Sequence, residues 1–231
     1  MQELNESTPQ AGQGYEGFEA AQQNVTLSKK GLSDKCMIHH ALEYVRQGWN
    51  IFPCNLDKTP RIKNGFHSAC RDPEQIKSWW SKWPDASIGA PTGPVNGFWV
   101  LDIDLPDGPG NLAELETKYG KIPATLKQRT GGGGIQFFFK WNGHEVRNSA
   151  GMIAPGIDVR GNGGYVILPP SRHPSGNHYE WINDHDPIPS LEWLINLAAS
   201  KPKKEQATLT QGPSTRYGEK ALMAEILNLS H

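Results

Sequence analysis

The chain has 231 residues, with 23 Lys and Arg against 24 Asp and Glu, for a formal net charge of −1. Near-neutrality excludes a uniformly basic nucleic-acid binder but leaves room for a local basic groove. The lack of any apolar run of about 18 residues excludes a helical membrane span. Three cysteines, odd and sparse, argue against a disulfide framework and for a reducing cytoplasm.

The length suits one sizeable core, or one core with a small appendage. Abundant Gly and Pro, together with eight Trp, suit a loop-rich mixed α/β protein. The opening Met1-Gln2-Glu3-Leu4-Asn5-Glu6 is polar and acidic, unlike a secretory signal. Residues 1–32 are rich in Gln, Asn, Gly, Ser and Thr and read as a disordered or loosely attached tail. A main domain is expected over 33–199. Ser33 or Asp34 can cap a helix running to Gln47, with Met37, Ala41, Tyr44 and Val45 as its apolar stripe. Trp49–Pro53 reads as a short strand. The loop after it carries Lys58, Arg61 and Lys63, charges that suit either phosphates or solvent. Asp72-Pro73 starts a second helix with Ile76, Trp79 and Trp80 on its apolar face, a spacing that favours core over base stacking. Ser87–Ala90 is a short strand.

Gly97-Phe98-Trp99-Val100-Leu101-Asp102-Ile103-Asp104 is the most informative stretch. It reads as a buried strand closed by the turn Pro106-Asp107-Gly108. Asp102 and Asp104 then share one face, about 6.6 Å apart along the strand. Neighbouring carboxylates at the edge of a core repel each other and resist desolvation, which a hard divalent cation relieves. Alone, the pair is more readily a strand end facing solvent or capping a turn. Asn111–Tyr119 reads as a helix. Strands are expected at Leu126–Thr130 and Ile135–Lys140, joined by Gly131-Gly132-Gly133-Gly134. Four glycines allow a close ligand approach and offer N–H groups to a phosphate; a flexible hairpin is the plainer reading. No Walker-type Gly-Lys-Ser or Gly-Lys-Thr follows. In 157–160, Asp158 and Arg160 share a face opposite Ile157 and Val159, so Asp158 is a candidate third carboxylate. Tyr165–Leu168 and Tyr179–Trp181 read as strands, with Arg172 and His173 between them. Ser190 is expected to cap a closing helix over 191–197. Residues 200–215 read as a linker, and 216–231 as an amphipathic helix that begins a further region.

Three groups of residues, taken in order, resemble a known family. They are Asp102-x-Asp104, Gly133-Gly134-Ile135-Gln136-x-Phe138-Phe139, and Gly156-Ile157-Asp158-x-Arg160-Gly161-x-Gly163-Gly164-Tyr165 with Pro169-Pro170-Ser171. The resemblance is to the bifunctional primase–polymerase (prim-pol) domain of the archaeo-eukaryotic primase superfamily, found in plasmid, phage and prophage replication proteins. It extends to Gly48-Trp49-x-Ile51-Phe52-Pro53, Trp79-Trp80 and Ile88-Gly89, and covers about residues 38–198.

The resemblance implies an α+β fold with an RRM-like β-sheet core and packed helices. It implies template-dependent nucleotidyl transfer, as a DNA primase, a DNA polymerase or both, with two Mg²⁺ or Mn²⁺ ions on Asp102, Asp104 and Asp158. Nucleotide contacts fall to Gly133, Gly134, Gln136, Arg160, Arg172, Lys63 and Lys58. Single-stranded DNA template and nucleoside triphosphates are the implied partners, with a C-terminal helicase region in a longer protein. No membrane partner is implied, and the setting is the cytoplasm of a bacterium, an archaeon or a phage-infected host. One departure stands out. The family's second motif usually ends in a nucleotide-contacting histidine, and the matching residue here is Gln136. Glutamine can donate to a phosphate but carries no charge, a loss of about 1–2 kcal/mol of triphosphate stabilisation. Arg160, Arg172 or Lys63 are candidates to supply that charge; His144 and His173 sit at other strand positions.

Two alternatives belong to other classes. The first is a non-catalytic module that binds nucleotide and single-stranded DNA, with Gln136 marking the loss of chemistry. The second is a replication-initiator nuclease, which the adjacent His39-His40 on a helix do not suit. Cys54, His67 and Cys70, with Cys36 or His39, match no familiar zinc spacing, so zinc is not expected.

Overall fold

Four helices and ten strands form over the residues that the structure, a computed structural model, describes: 36–143 and 146–199. The helices are α1 (Met37–Arg46), α2 (Pro73–Lys82), α3 (Gly108–Tyr119) and α4 (Glu192–Ala199). The strands are β1 (Phe52–Cys54), β2 (Ser87–Pro91), β3 (Phe98–Ile103), β4 (Lys127–Arg129) and β5 (Ile135–Lys140). They continue with β6 (Ser149–Ala154), β7 (Ile157–Arg160), β8 (Tyr165–Leu168), β9 (Glu180–Trp181) and β10 (Ile188–Pro189). The expected tail over 1–32, the cap at Ser33 or Asp34, His144, and the linker and helix over 200–231 lie outside the described residues. No helix among the described residues is long and apolar enough to cross a membrane.

The larger sheet has the order β6-β7-β3-β5-β4-β9, and β10 pairs parallel to β5. The smaller sheet is β1-β2-β8, antiparallel throughout. This mixture of antiparallel sheets and packed helices is the α+β class the sequence implied.

Strand β3 shows why two cores form. Alternate residues point to opposite faces. Phe98 and Val100 join Ala41, Tyr44 and Val45 of α1 and Ile76 and Trp80 of α2. Trp99, Leu101 and Ile103 join Phe137 and Phe139 of β5 and Leu194 and Ala198 of α4. All six residues of β3 are buried, so both faces are covered. Each large apolar side chain withdrawn from water contributes about 1.5–3 kcal/mol.

Local signals explain several boundaries. The Asp72 carboxylate accepts the Glu74 N–H at 3.1 Å, and Pro73 opens α2 where its missing N–H costs nothing. Helix α3 starts at Gly108, earlier than the expected Asn111. Gly108 lies so close to the Gly156 carbonyl that a Cβ there would collide with it, which accounts for the glycine inside the first turn. Ser190 does not serve as the expected cap of α4. Its hydroxyl accepts the Trp99 indole N–H at 2.7 Å and donates to the Lys140 carbonyl at 3.3 Å. Satisfying a buried indole N–H outweighs capping an exposed helix end.

Candidate active site

Register brings the motif residues into one row. Asp102 of β3 lies directly opposite Asp158 of β7 on one side and Gln136 of β5 on the other. Gln136 in turn lies opposite Gln128 of β4. Directly paired residues project to the same face, so Asp158, Asp102, Gln136 and Gln128 form a polar line across four strands. The line continues the face that carries Phe98, Val100 and Phe138 into the core. It is tied to the smaller sheet where the Gln128 amide donates to the Ile167 carbonyl at 2.8 Å.

Arg160, two residues beyond Asp158, bends its guanidinium back over the acids. Nη2 donates to Asp158 Oδ2 at 2.9 Å, and Nη2 and Nε each donate to Asp102 Oδ2 at 3.3 Å. Asp158 Oδ1 accepts the Gly151 N–H at 2.7 Å. Asp102 is 4% exposed, and its Oδ1 is buried with no hydrogen-bond partner. Burial first, then the charge of Asp104, push the Asp102 pKa up to about 6, against the pull of Arg160 and Gln136. Asp104 is exposed just past the end of β3, where its N–H donates to the Gly156 carbonyl at 2.8 Å.

Gln136 is buried, and its Oε1 accepts a hydrogen bond from the Gln128 amide. The rest of its amide faces Asp102 and favours the ionised carboxylate. The glycine run forms a tight hairpin. Gly133 N–H donates to the Thr130 carbonyl at 2.9 Å and Gly134 N–H to Thr130 Oγ1 at 3.0 Å. The two glycine N–H groups expected to meet phosphate therefore already have partners. Those of Gly131 and Gly132 have none among the described residues. A Cβ on Gly134 would sit 2.6 Å from the Ile103 carbonyl oxygen and 3.3 Å from Asp104 Oδ1, so the turn abuts the acidic strand end.

The structure also gathers residues that the sequence reading did not assign. His173 packs across Gly131, where a Cβ would overlap the His173 side chain. Lys58 lowers the His173 pKa, after burial, so the Lys58 charge reaches the same place. Tyr179 is 3% exposed and stacks edge-on to His173 with ring centroids 5.8 Å apart. Burial, then Asp102 and Asp104, raise its pKa. The signal for this return was Pro174-Ser175-Gly176-Asn177, a turn that folds His173 back towards Tyr179. Gly176 N–H donates to the His173 carbonyl at 2.9 Å and has φ +91°. Arg172 and Lys63 are exposed, and no contact among the described residues ties them to the carboxylates. Cys54 is buried in β1, and Cys70 pairs with Ile51. Among the described residues, no three His, Cys, Asp or Glu side chains cluster to hold a metal. Asp158 is turned to Arg160 and Gly151.

The molecule is thus an α+β domain whose central strands align Asp158, Asp102, Gln136 and Gln128 in one row, with Asp104 beside a glycine turn. The chain belongs to the Prim-Pol family, bifunctional DNA primase/polymerase, N-terminal, whose profile matches residues 41–193. No curated protein matches the chain. Membership implies primase or polymerase nucleotidyl transfer in replication, with DNA and nucleotides as partners and divalent metals as expected cofactors.

Proposed function

We propose that this chain carries out template-dependent nucleotidyl transfer on single-stranded DNA, with Asp102 and Asp104 as its principal metal ligands and Asp158 as the third. The observation that carries this reading is Asp102 Oδ1: a buried carboxylate oxygen, without a partner, beside a second carboxylate. Such an atom costs about 1–3 kcal/mol when left unpaired, and a cation is the ligand that satisfies it. The residues present thus fit a hard divalent ion. Asp102 and Asp104 would hold such an ion, which would supply activation of an attacking hydroxyl and charge neutralisation of a departing pyrophosphate.

The protein's own residues do the remaining work. Strands β7 and β5 pair with β3 on both sides and fix the Asp102 backbone. Gln128 orients Gln136, and Gln136 orients Asp102, so we assign Gln136 to positioning the carboxylate rather than to contacting nucleotide. Arg160 holds Asp158 and the second oxygen of Asp102. When Arg160 turns instead to an incoming triphosphate, Asp158 is freed for the cation, so nucleotide and metal binding are coupled.

A primed single-stranded template, nucleoside triphosphates and Mg²⁺ or Mn²⁺ test the reading. Wild type should extend the primer, and Asp102→Asn should lose extension by at least about 10³-fold while remaining folded. Full synthesis by that variant would refute the assignment. A second reading, nucleotide binding without synthesis, is favoured by the closure of Arg160 over both acids. Metal-dependent triphosphate binding with no product under any primer condition would select it.

A further inference from the structure

Gln136 is buried in the sheet, its Oε1 taken by the Gln128 amide and its other end facing Asp102, which leaves the phosphates of a bound nucleotide to another residue. His173 stands at the exposed side of the same glycine turn. Its ring lies against Gly131 and Gly132: a Cβ on Gly132 would be 3.5 Å from its Cε1 and 3.7 Å from its Nε2. The ring is held in place. Ser175 fixes the ring in either protonation state: its N–H donates to a bare Nδ1 at 3.1 Å, and its Oγ, 3.0 Å away, accepts from a protonated one, which leaves Nε2 turned to Gly132. Ser175 Oγ and Asn177 Nδ2 both donate to the Gly131 carbonyl, at 2.7 and 3.0 Å. Because a trans peptide opposes its C=O and N–H, this pinning aims the Gly132 N–H away from the hairpin. His173 Nε2, the Gly132 N–H, which has no acceptor among the described residues, and the Lys58 charge thus lie around one turn, whose Gly134 adjoins Asp104.

We propose that His173, locked across Gly131 and Gly132 by Ser175, contacts the phosphates of the bound nucleoside triphosphate in this chain. The inference rests on the nucleotidyl-transfer reading of the site. It assigns His173 the role that the glutamine at position 136 cannot fill. Three groups face His173: Lys58, Tyr179 and Ser175. Tyr179 stays neutral because burial, then Asp102 and Asp104, push its phenol up. A bound phosphate favours the imidazolium, so triphosphate affinity should fall as pH rises from 6 to 8.

The test is calorimetric titration of the full chain with dATP and with dAMP in Mg²⁺, alongside Mn²⁺ titration followed by water proton relaxation. Wild type should bind dATP. His173→Ala should weaken it at least about tenfold, the size of a charge-assisted hydrogen bond, and should leave Mn²⁺ binding and the weaker dAMP binding unchanged. His173→Gln, which keeps a neutral donor, should fall between the two and lose the pH dependence; it also decides the matter if the alanine variant misfolds. If both variants match wild type for dATP, the assignment of His173 is overturned and the nucleotidyl-transfer reading stands. If wild type itself fails to bind dATP with metal present, that reading falls and this inference falls with it.

Discussion

Asp102→Asn should make the metal-free protein more stable at neutral pH while abolishing its activity. The folded carboxyl is pushed from the ordinary 3.8 up to about 6. The folded state therefore holds its proton over a range where the unfolded chain has lost it. Stability from this group is complete below about pH 4 and is lost as pH rises through about 6. The difference amounts to about 3 kcal/mol against the ionised form at pH 8. Asparagine mimics the protonated acid in shape and keeps Gln136 company without a charge. In chelator at pH 8 the variant should melt roughly 6–12 °C higher than wild type, given about 2–4 °C per kcal/mol for a protein of this size. At pH 4 the two should melt together. Thermal unfolding by circular dichroism across pH 4–8 reads this directly. Adding Mg²⁺ or Mn²⁺ should stabilise wild type and leave the variant unmoved. A variant that is less stable than wild type at pH 8, or a gap that does not change with pH, would refute the account of Asp102 as a strained, cation-ready acid.

Three further outcomes follow from contacts in the same region. Arg160→Gln removes the guanidinium shared by Asp102 and Asp158 and should lower stability at pH 7 by about 1–3 kcal/mol in urea unfolding; the loss should shrink below pH 6, where Asp102 takes up its proton. Gly134→Ala places a methyl 2.6 Å from the Ile103 carbonyl, so it should cost about 1–3 kcal/mol and weaken triphosphate binding by shifting the turn away from Asp104; a fully stable alanine variant would show the turn to be loose. Ser190→Ala leaves the Trp99 indole N–H of the buried core without its 2.7 Å partner and should cost about 1–3 kcal/mol in a thermal melt, with activity unchanged.

Alternation made much of this legible from the sequence. Phe98, Val100 and Asp102 had to share one face, and Ile157 and Val159 had to oppose Asp158 and Arg160, and β3 and β7 keep that pattern. The Asp-Pro start of α2 and the glycine hairpin were equally readable, because each rests on one or two residues with a fixed local preference. Register was not readable. Nothing in the residues around Asp102 says that Asp158 lies opposite it rather than one step away, since pairing depends on contacts between residues 56 apart in the chain. Strand β6, exposed and irregular in its pairing with β7, carried no alternation to detect. Strand β10 is two residues long and is held by the Thr125 hydroxyl, which accepts the Ile188 N–H at 3.1 Å. His173 lies outside every strand, and the turn that returns it to the glycine run is a tertiary event that its neighbours in sequence do not announce.

The arrangement makes sense only if its cost serves something. An apolar side chain at position 102 would extend the face of Phe98 and Val100 and satisfy both neighbouring strands. Instead the chain holds an acid with one oxygen unpartnered and a second acid close by. It then commits Arg160, Gln136 and Gln128 to keeping that acid in place. Buried charge sets restrained in this way are weak contributors to stability. Their geometry is over-determined: strands pair on both sides, and Gln128 anchors the row to the smaller sheet at Ile167. A carboxylate so rigid, with an unpartnered oxygen and the charge of Asp104 acting on it, has the preorganisation that the proposed function asks of a cation ligand.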